Sequence, residues 1–131
     1  MADHNDIGRW GEEQVAHYLE AQGWRVEALR WRDAALGGVR GDVDVVARSE
    51  DGVLHFVEVK TRRGIDGGVG RGDFSPEQAV TPDKARRMQS LAERYVARCG
   101  WRGEISLDVA AVVVGAEGKD AAIRYYAGAV R

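Results

Sequence analysis

A chain of 131 residues with 44% hydrophobic and 31% charged side chains can bury a core without metal or disulfide staples, and these proportions exclude a disordered polymer. A formal net charge of −2 does not announce a nucleic-acid binder, and the lone cysteine, Cys99, excludes an intrachain disulfide. The average hides a segregation: residues 60–102 carry ten Lys/Arg against five Asp/Glu and the remainder nine against sixteen, so a local basic stretch can still hold phosphates.

The first element is predicted as an amphipathic helix over 6–22, with Ile7, Trp10, Gly11, Val15, Tyr18 and Leu19 at helical spacing and Gly23 as its stop. Glu12 falls on the face of Val15, Ala16 and Leu19, at the core edge, whereas Glu13 falls on the solvent side. Alternation in WRVEALRW predicts a half-buried strand over 24–31, and DAALGGVRG reads as a turn-rich connection. Strands over 42–47 and 53–61 follow, joined by the hairpin residues RSEDG, so three consecutive strands form an antiparallel meander against the first helix. Residues 64–73, GIDGGVGRGD, are expected to form a mobile glycine loop. They lack the Gly-Lys-Ser/Thr ending of a P-loop and the spacing of a dinucleotide fingerprint. Cap and proline signals at Ser75, Pro76 and Gln78 predict a short helical turn, and the same signals at Thr81 and Pro82 open a long helix over 82–98 with Ala85, Met88, Leu91, Ala92 and Tyr95 on its core face. ISLDVAAVVVG is apolar on both faces, as a central strand is, and AAIRYYAGAV is a weaker final strand. The longest apolar run, 109–114, is far below the roughly 20 residues needed to span a bilayer. The opening MADHNDIGRWG lacks a basic start followed by an apolar stretch, so the expected compartment is the cytoplasm and no membrane partner is expected.

HFVEVKTRR places opposite charges inside a hydrophobic strand. Residues two apart share a strand face, so Glu58 and Lys60 point one way and Val57 and Val59 the other; Asp42 and Asp44 share a face of the preceding strand. Pairing through the 48–52 turn brings Asp44 or Asp42 near Glu58. Clustered carboxylates repel and resist desolvation unless a cation neutralises them, and a hard divalent ion supplies two charges where one lysine supplies one. A plain ion-pair network on an exposed sheet face is the competing explanation. His4, His17 and His55 lack zinc-ligand spacing, and Cys99 has no identifiable base partner.

The blocks GRWGEEQVAHYLEAQGW, GDVDVVAR with FVEVKTR, EQAVTPDKARRMQSLAERYV and LDVAAV occur in an order and spacing similar to those of the YraN-like family, within the PD-(D/E)XK nuclease superfamily that includes archaeal Holliday junction resolvases. The chain resembles that family from Gly8 to Val114. The resemblance implies an α/β (α+β) restriction-endonuclease-like αβββαβ core, with a mixed central sheet flanked by helices, in one domain over 1–131. It also implies that Asp44 and Glu58 bind Mg²⁺ or Mn²⁺, that Glu12 contributes from the first helix, and that Lys60 acts on the nucleophile. The Val59 carbonyl completes the expected ligand set, and Arg62, Arg63, Lys84, Arg87 and Arg94 are candidates for holding a DNA backbone. The family pattern carries Glu at the position of Asp42 and a bulkier residue at that of Leu107. Asp108 stands open between a structural acid and a site residue.

Three functions are compatible with this reading. The first is a metal-dependent DNA endonuclease acting on branched or single-stranded DNA in repair or recombination, for which a homodimer is expected by analogy. The second is a nucleic-acid-binding accessory protein without appreciable catalysis. The third is a structural or interaction domain.

Overall fold

The computed structural model describes residues 4–34, 40–63, 80–115 and 120–130. The expected glycine loop at 64–73 and helical turn at 75–78 lie outside them.

Helix α1 (His4–Ala21) forms where the apolar stripe ends against Gly23, and it buries Val15 and Leu19 completely. Tyr18, included in the predicted stripe, is instead 37% exposed. At helical pitch it stands about 60° from Val15 and about 100° from Leu19, at the edge of the buried stripe. Five strands follow the predicted order: β1 (Arg25–Arg32), β2 (Asp42–Arg48), β3 (Leu54–Arg63), β4 (Ile105–Val114) and β5 (Ala121–Tyr126), with helix α2 (Pro82–Cys99) between β3 and β4. They make one sheet in the order β1-β2-β3-β4-β5. The first three strands are the expected antiparallel meander, β3 and β4 are parallel, and β5 returns antiparallel. The crossover through α2 is what a parallel pair requires. This is an α+β architecture with a mixed sheet, and it agrees with an αβββαβ core.

Each helix covers one face. On the α1 side, Val15 and Leu19 pack with Val45, Val57, Ala110 and Val112; on the α2 side, Leu91 and Ala92 pack with Val46, Leu54 and Phe56. Fully burying side chains of this size stabilises the fold by about 1.5–3 kcal/mol each. Two local devices fix the helices. A Cβ at Gly11 would meet the Thr61 hydroxyl oxygen at 1.9 Å, so only glycine lets α1 cross β3 this closely. The Thr81 hydroxyl accepts the Lys84 N–H at 3.2 Å with Pro82 at the first turn, and Gly100 in the left-handed region (φ 69°) closes the other end of α2.

Candidate functional site

The central feature is a parting of strands. Pairing of β2 with β3 runs from Arg48↔Leu54 to Val45↔Val57 and stops, while β2 stays with β1 as far as Asp42↔Arg32 and β3 stays with β4 as far as Arg63↔Val114. Beyond the last β2–β3 pair the side chain of Asp44 substitutes for the lost ladder: its Oδ2 accepts the Val59 N–H at 2.8 Å. Glu58, the next residue of β3, is buried and directed toward α2, where its Oε1 accepts from Lys84 Nζ at 2.8 Å. Asp42, Asp44, Glu58, Lys84, Arg87 and Met88 line a cavity of about 250 Å³ at this fork. A larger groove of about 860 Å³ lies between α2 and residues 126–130, and among the described residues no carboxylate lines it.

Charge is unbalanced at the fork. Burial first, and then the neighbouring charge of Glu58, push the Asp44 carboxyl up to about 8, against the opposing bond from Val59; the charges of Glu12 and Asp42 push the same way. Burial works against the Lys84 ammonium, but its hydrogen bond to Glu58 and that carboxylate's charge raise its pKa overall. Lys60 moves down, first through its close approach to Lys84, then through burial and the Lys84 charge. Two lysines therefore share the fork with its acids, and Arg87 lines the same cavity.

Asp44 and Glu58 thus come together on one cavity, with Lys60 on the Glu58 face and near enough to Lys84 to feel its charge. Glu12 approaches closely enough for its charge to be felt at Asp44, but its Oε1 is held by Arg30 Nη1 at 2.7 Å. Arg30 makes that contact from a left-handed backbone conformation (φ 49°) inside a strand. Among the described residues no three His, Cys, Asp or Glu side chains are gathered to hold a metal ion. The donor chemistry nevertheless suits a hard divalent cation, because Mg²⁺ takes one or two carboxylates and completes its shell with water and substrate oxygens. The Asp44 carboxyl, pushed up to about 8 first by burial and then by the Glu58 charge, is one that a bound cation would relieve. Of the expected backbone-binding residues, Arg87 lines the cavity, Arg62 and Arg63 lie exposed at the end of β3, and Arg94 is engaged with Asp33 at 2.9 Å. Lys84 points into the acids. The sequence pattern assigned it to a phosphate; its position three residues after the Thr81 cap, where a cation is electrostatically misplaced, was the signal available.

Asp108 belongs elsewhere. It pairs with Val57 in the β3–β4 register and shares that residue's face, toward α1, while Glu58 pairs with Val109 toward α2. There it accepts from Ser106 Oγ (2.5 Å), the Gly128 N–H (2.8 Å) and Tyr125 Oη, and meets His55 Nδ1 at 2.6 Å. Burial alone would raise its pKa, but these four partners lower it instead. His55 also touches Ser49 Oγ at 3.0 Å, giving an Asp-His-Ser connectivity. The serine is buried, hydrogen-bonds Asp51, and reaches the Val53 carbonyl at 3.3 Å, while the Trp24 ring lies 4.1 Å from that of His55. The chain of bonds closes the hairpin; it does not present a nucleophile.

Residues 11–112 match the model of a family described as "Uncharacterised protein family UPF0102". That span contains every acid and lysine of the fork. The chain is 36% identical over 125 residues to a UPF0102 protein of Roseiflexus castenholzii, covering 91% of this chain and 88% of that one. It is 39% identical over 118 residues to one from Porphyromonas gingivalis, covering 90% and 78%, and 42% identical over 94 residues to one from Symbiobacterium thermophilum, covering 72% and 70%. No helix among the described residues is long and apolar enough to cross a membrane.

Proposed function

We propose, proceeding from the fact that this chain belongs to the uncharacterised protein family UPF0102, that it is a divalent-metal-dependent DNA endonuclease of the PD-(D/E)XK kind. The observation that carries this reading is the fork: Asp44 and Glu58, 14 positions apart in sequence, facing one cavity with Lys60 on the same strand face. Asp44, Glu58 and the Val59 carbonyl would hold Mg²⁺ or Mn²⁺. When bound, that ion would supply an acidified water and neutralise charge on the phosphodiester. Lys60 would orient the attacking water and stabilise developing charge, and Arg62, Arg63 and Arg87 would hold the DNA backbone, making affinity salt-dependent. Cleavage of a branched junction on both strands would require two such sites, so a homodimer belongs to this reading.

A second reading, a nucleic-acid-binding protein without catalysis, draws on the ion pair of Lys84 with Glu58, which already neutralises one expected ligand. Incubating linear, single-stranded and four-way-junction DNA with Mg²⁺ or Mn²⁺ separates the two. Under the endonuclease reading the wild type cuts at least one substrate, while Asp44→Ala and Lys60→Ala lose about 10²-fold or more of the rate, the scale of removing one preorganised electrostatic group. Equal cutting by all three proteins would mark a contaminant and sink the endonuclease reading; retention of DNA without cutting would establish the second.

A further inference from the structure

Lys84 stands where helix electrostatics disfavours a cation. Thr81 is the N-cap of α2 and Lys84 the third residue after it, among backbone N–H groups that form the positive end of the helix dipole. Its neighbour Asp83 fits that environment, faces water and pairs with Arg86. Lys84 turns inward instead: its side chain is 33% exposed, and its ammonium lies 2.8 Å from a Glu58 side chain that is 9% exposed. Lys60, two residues along β3 from Glu58, lies close enough to feel the Lys84 charge. Asp42, Asp44 and Glu58 border the space that Lys84 enters. An ammonium on Glu58 also occupies one of the two oxygens through which that carboxylate could hold a divalent ion.

We propose that Lys84 is the built-in counter-ion of the candidate metal site, a positioning residue whose ammonium holds Glu58 in the metal-free protein and is displaced when a divalent cation binds. This rests on the metal-site reading above and adds a residue to it. The competition sets the metal affinity. A site left with unpaired carboxylates would bind the ion more tightly, but would leave a buried glutamate uncompensated whenever the ion is absent. Lys84 exchanges some affinity for a folded metal-free state.

The test is calorimetric titration of the full chain, stripped of metal, with Mn²⁺ and Mg²⁺, accompanied by the metal-induced rise in Tm, for wild type, Lys84→Met, Lys84→Arg and Asp44→Asn. Lys84→Met is expected to melt lower without metal yet bind Mn²⁺ about tenfold more tightly, a difference of about 1.4 kcal/mol. Lys84→Arg keeps a cation on Glu58 and is expected to bind at or below wild-type affinity. Asp44→Asn is expected to weaken binding at least tenfold. If Lys84→Met does not fold, Lys84→Gln replaces it with the same expectation. Equal or weaker Mn²⁺ binding by the Met or Gln variant, with the wild type binding normally, overturns the counter-ion role and leaves the metal site standing. No Mn²⁺ binding or Tm response by wild type and Lys84 variants alike overturns both. Binding by the Met variant where the wild type shows none supports the displacement in its strongest form.

Discussion

Asp108 and Asp44 both place a carboxylate against strand β3, on opposite faces of the sheet, and the protein treats them in opposite ways. Asp108 is fully buried, and groups from β3, β4, β5 and the Gly128 turn converge on it, so its pKa is lowered despite complete desolvation. Asp44 accepts one backbone N–H, sits beside Glu58, and is pushed up to about 8. One buried acid is supplied with four hydrogen-bonding partners; the other is desolvated beside a second carboxylate with one backbone N–H. Folding requires the first arrangement. The second lowers stability in the metal-free chain, and strained or under-compensated groups of that kind gather at functional sites. The contrast separates a structural acid from a candidate ligand better than burial does, since burial ranks the wrong one first.

The largest effect is expected at the satisfied end. Asp108→Ala leaves His55, Ser106, Tyr125 and the Gly128 N–H without their shared acceptor, and breaking a buried charge network by removing one partner costs about 3–5 kcal/mol. Urea denaturation should show that loss with an unchanged m-value. A loss under about 1 kcal/mol would place the two acids in the same class and remove the basis of the comparison.

A smaller effect of opposite sign is expected at the fork. Between the ordinary carboxyl pKa of about 4 and the folded value of about 8, folded Asp44 keeps a proton that the unfolded chain releases. Stability contributed by this group therefore falls as pH rises through that window, and is flat above it. For Asp108, whose folded pKa is lowered, the contribution is present above about 4 and is lost as pH falls through the folded pKa. Asp44→Asn retains an oxygen for the Val59 N–H while removing the titration. In chelator-treated protein it should be about 1–2 kcal/mol more stable than wild type at pH 8, and indistinguishable at pH 4. Parallel pH–stability curves for variant and wild type would show that Asp44 is an ordinary exposed acid.

Much of this contrast was legible in the residues, and its limits have physical causes. Period-two alternation put Glu58 and Lys60 on one face and His55 on the other, and the hairpin residues 48–52 made Asp44 a neighbour of Glu58; both are local facts of strand geometry. Asp108 could not be assigned that way. Its face depends on the parallel register Val57↔Asp108, and a slip of one residue would have turned it toward Glu58. Its partners are scattered over residues 55–128 and meet only through the sheet order. The contact of Lys84 with Glu58 was not legible for a related reason: the helix pattern showed a polar position near the start of α2, but only packing of α2 over β3 brings that ammonium to Glu58.

The smallest effect tests the third acid. Arg30 holds Glu12 across the α1 face, and its left-handed backbone carries a steric penalty of roughly 1–2 kcal/mol that glycine would not pay. The ion pair is partly exposed, and contacts of that kind contribute about 0–1 kcal/mol. Arg30→Ala loses the pair and keeps the strain, so it should be less stable than wild type by up to about 1 kcal/mol. Arg30→Gly loses the pair and relieves the strain, offset by the entropy of an added glycine, so it should lie within about 1 kcal/mol of wild type and above the alanine variant. In both variants Glu12 is left unneutralised near Asp44, whose carboxyl already feels that charge. The midpoint of the Asp44-dependent pH transition should therefore move upward. An unmoved midpoint with the expected stability ranking would show that Arg30 serves the backbone of β1 alone and that Glu12 stands apart from the fork.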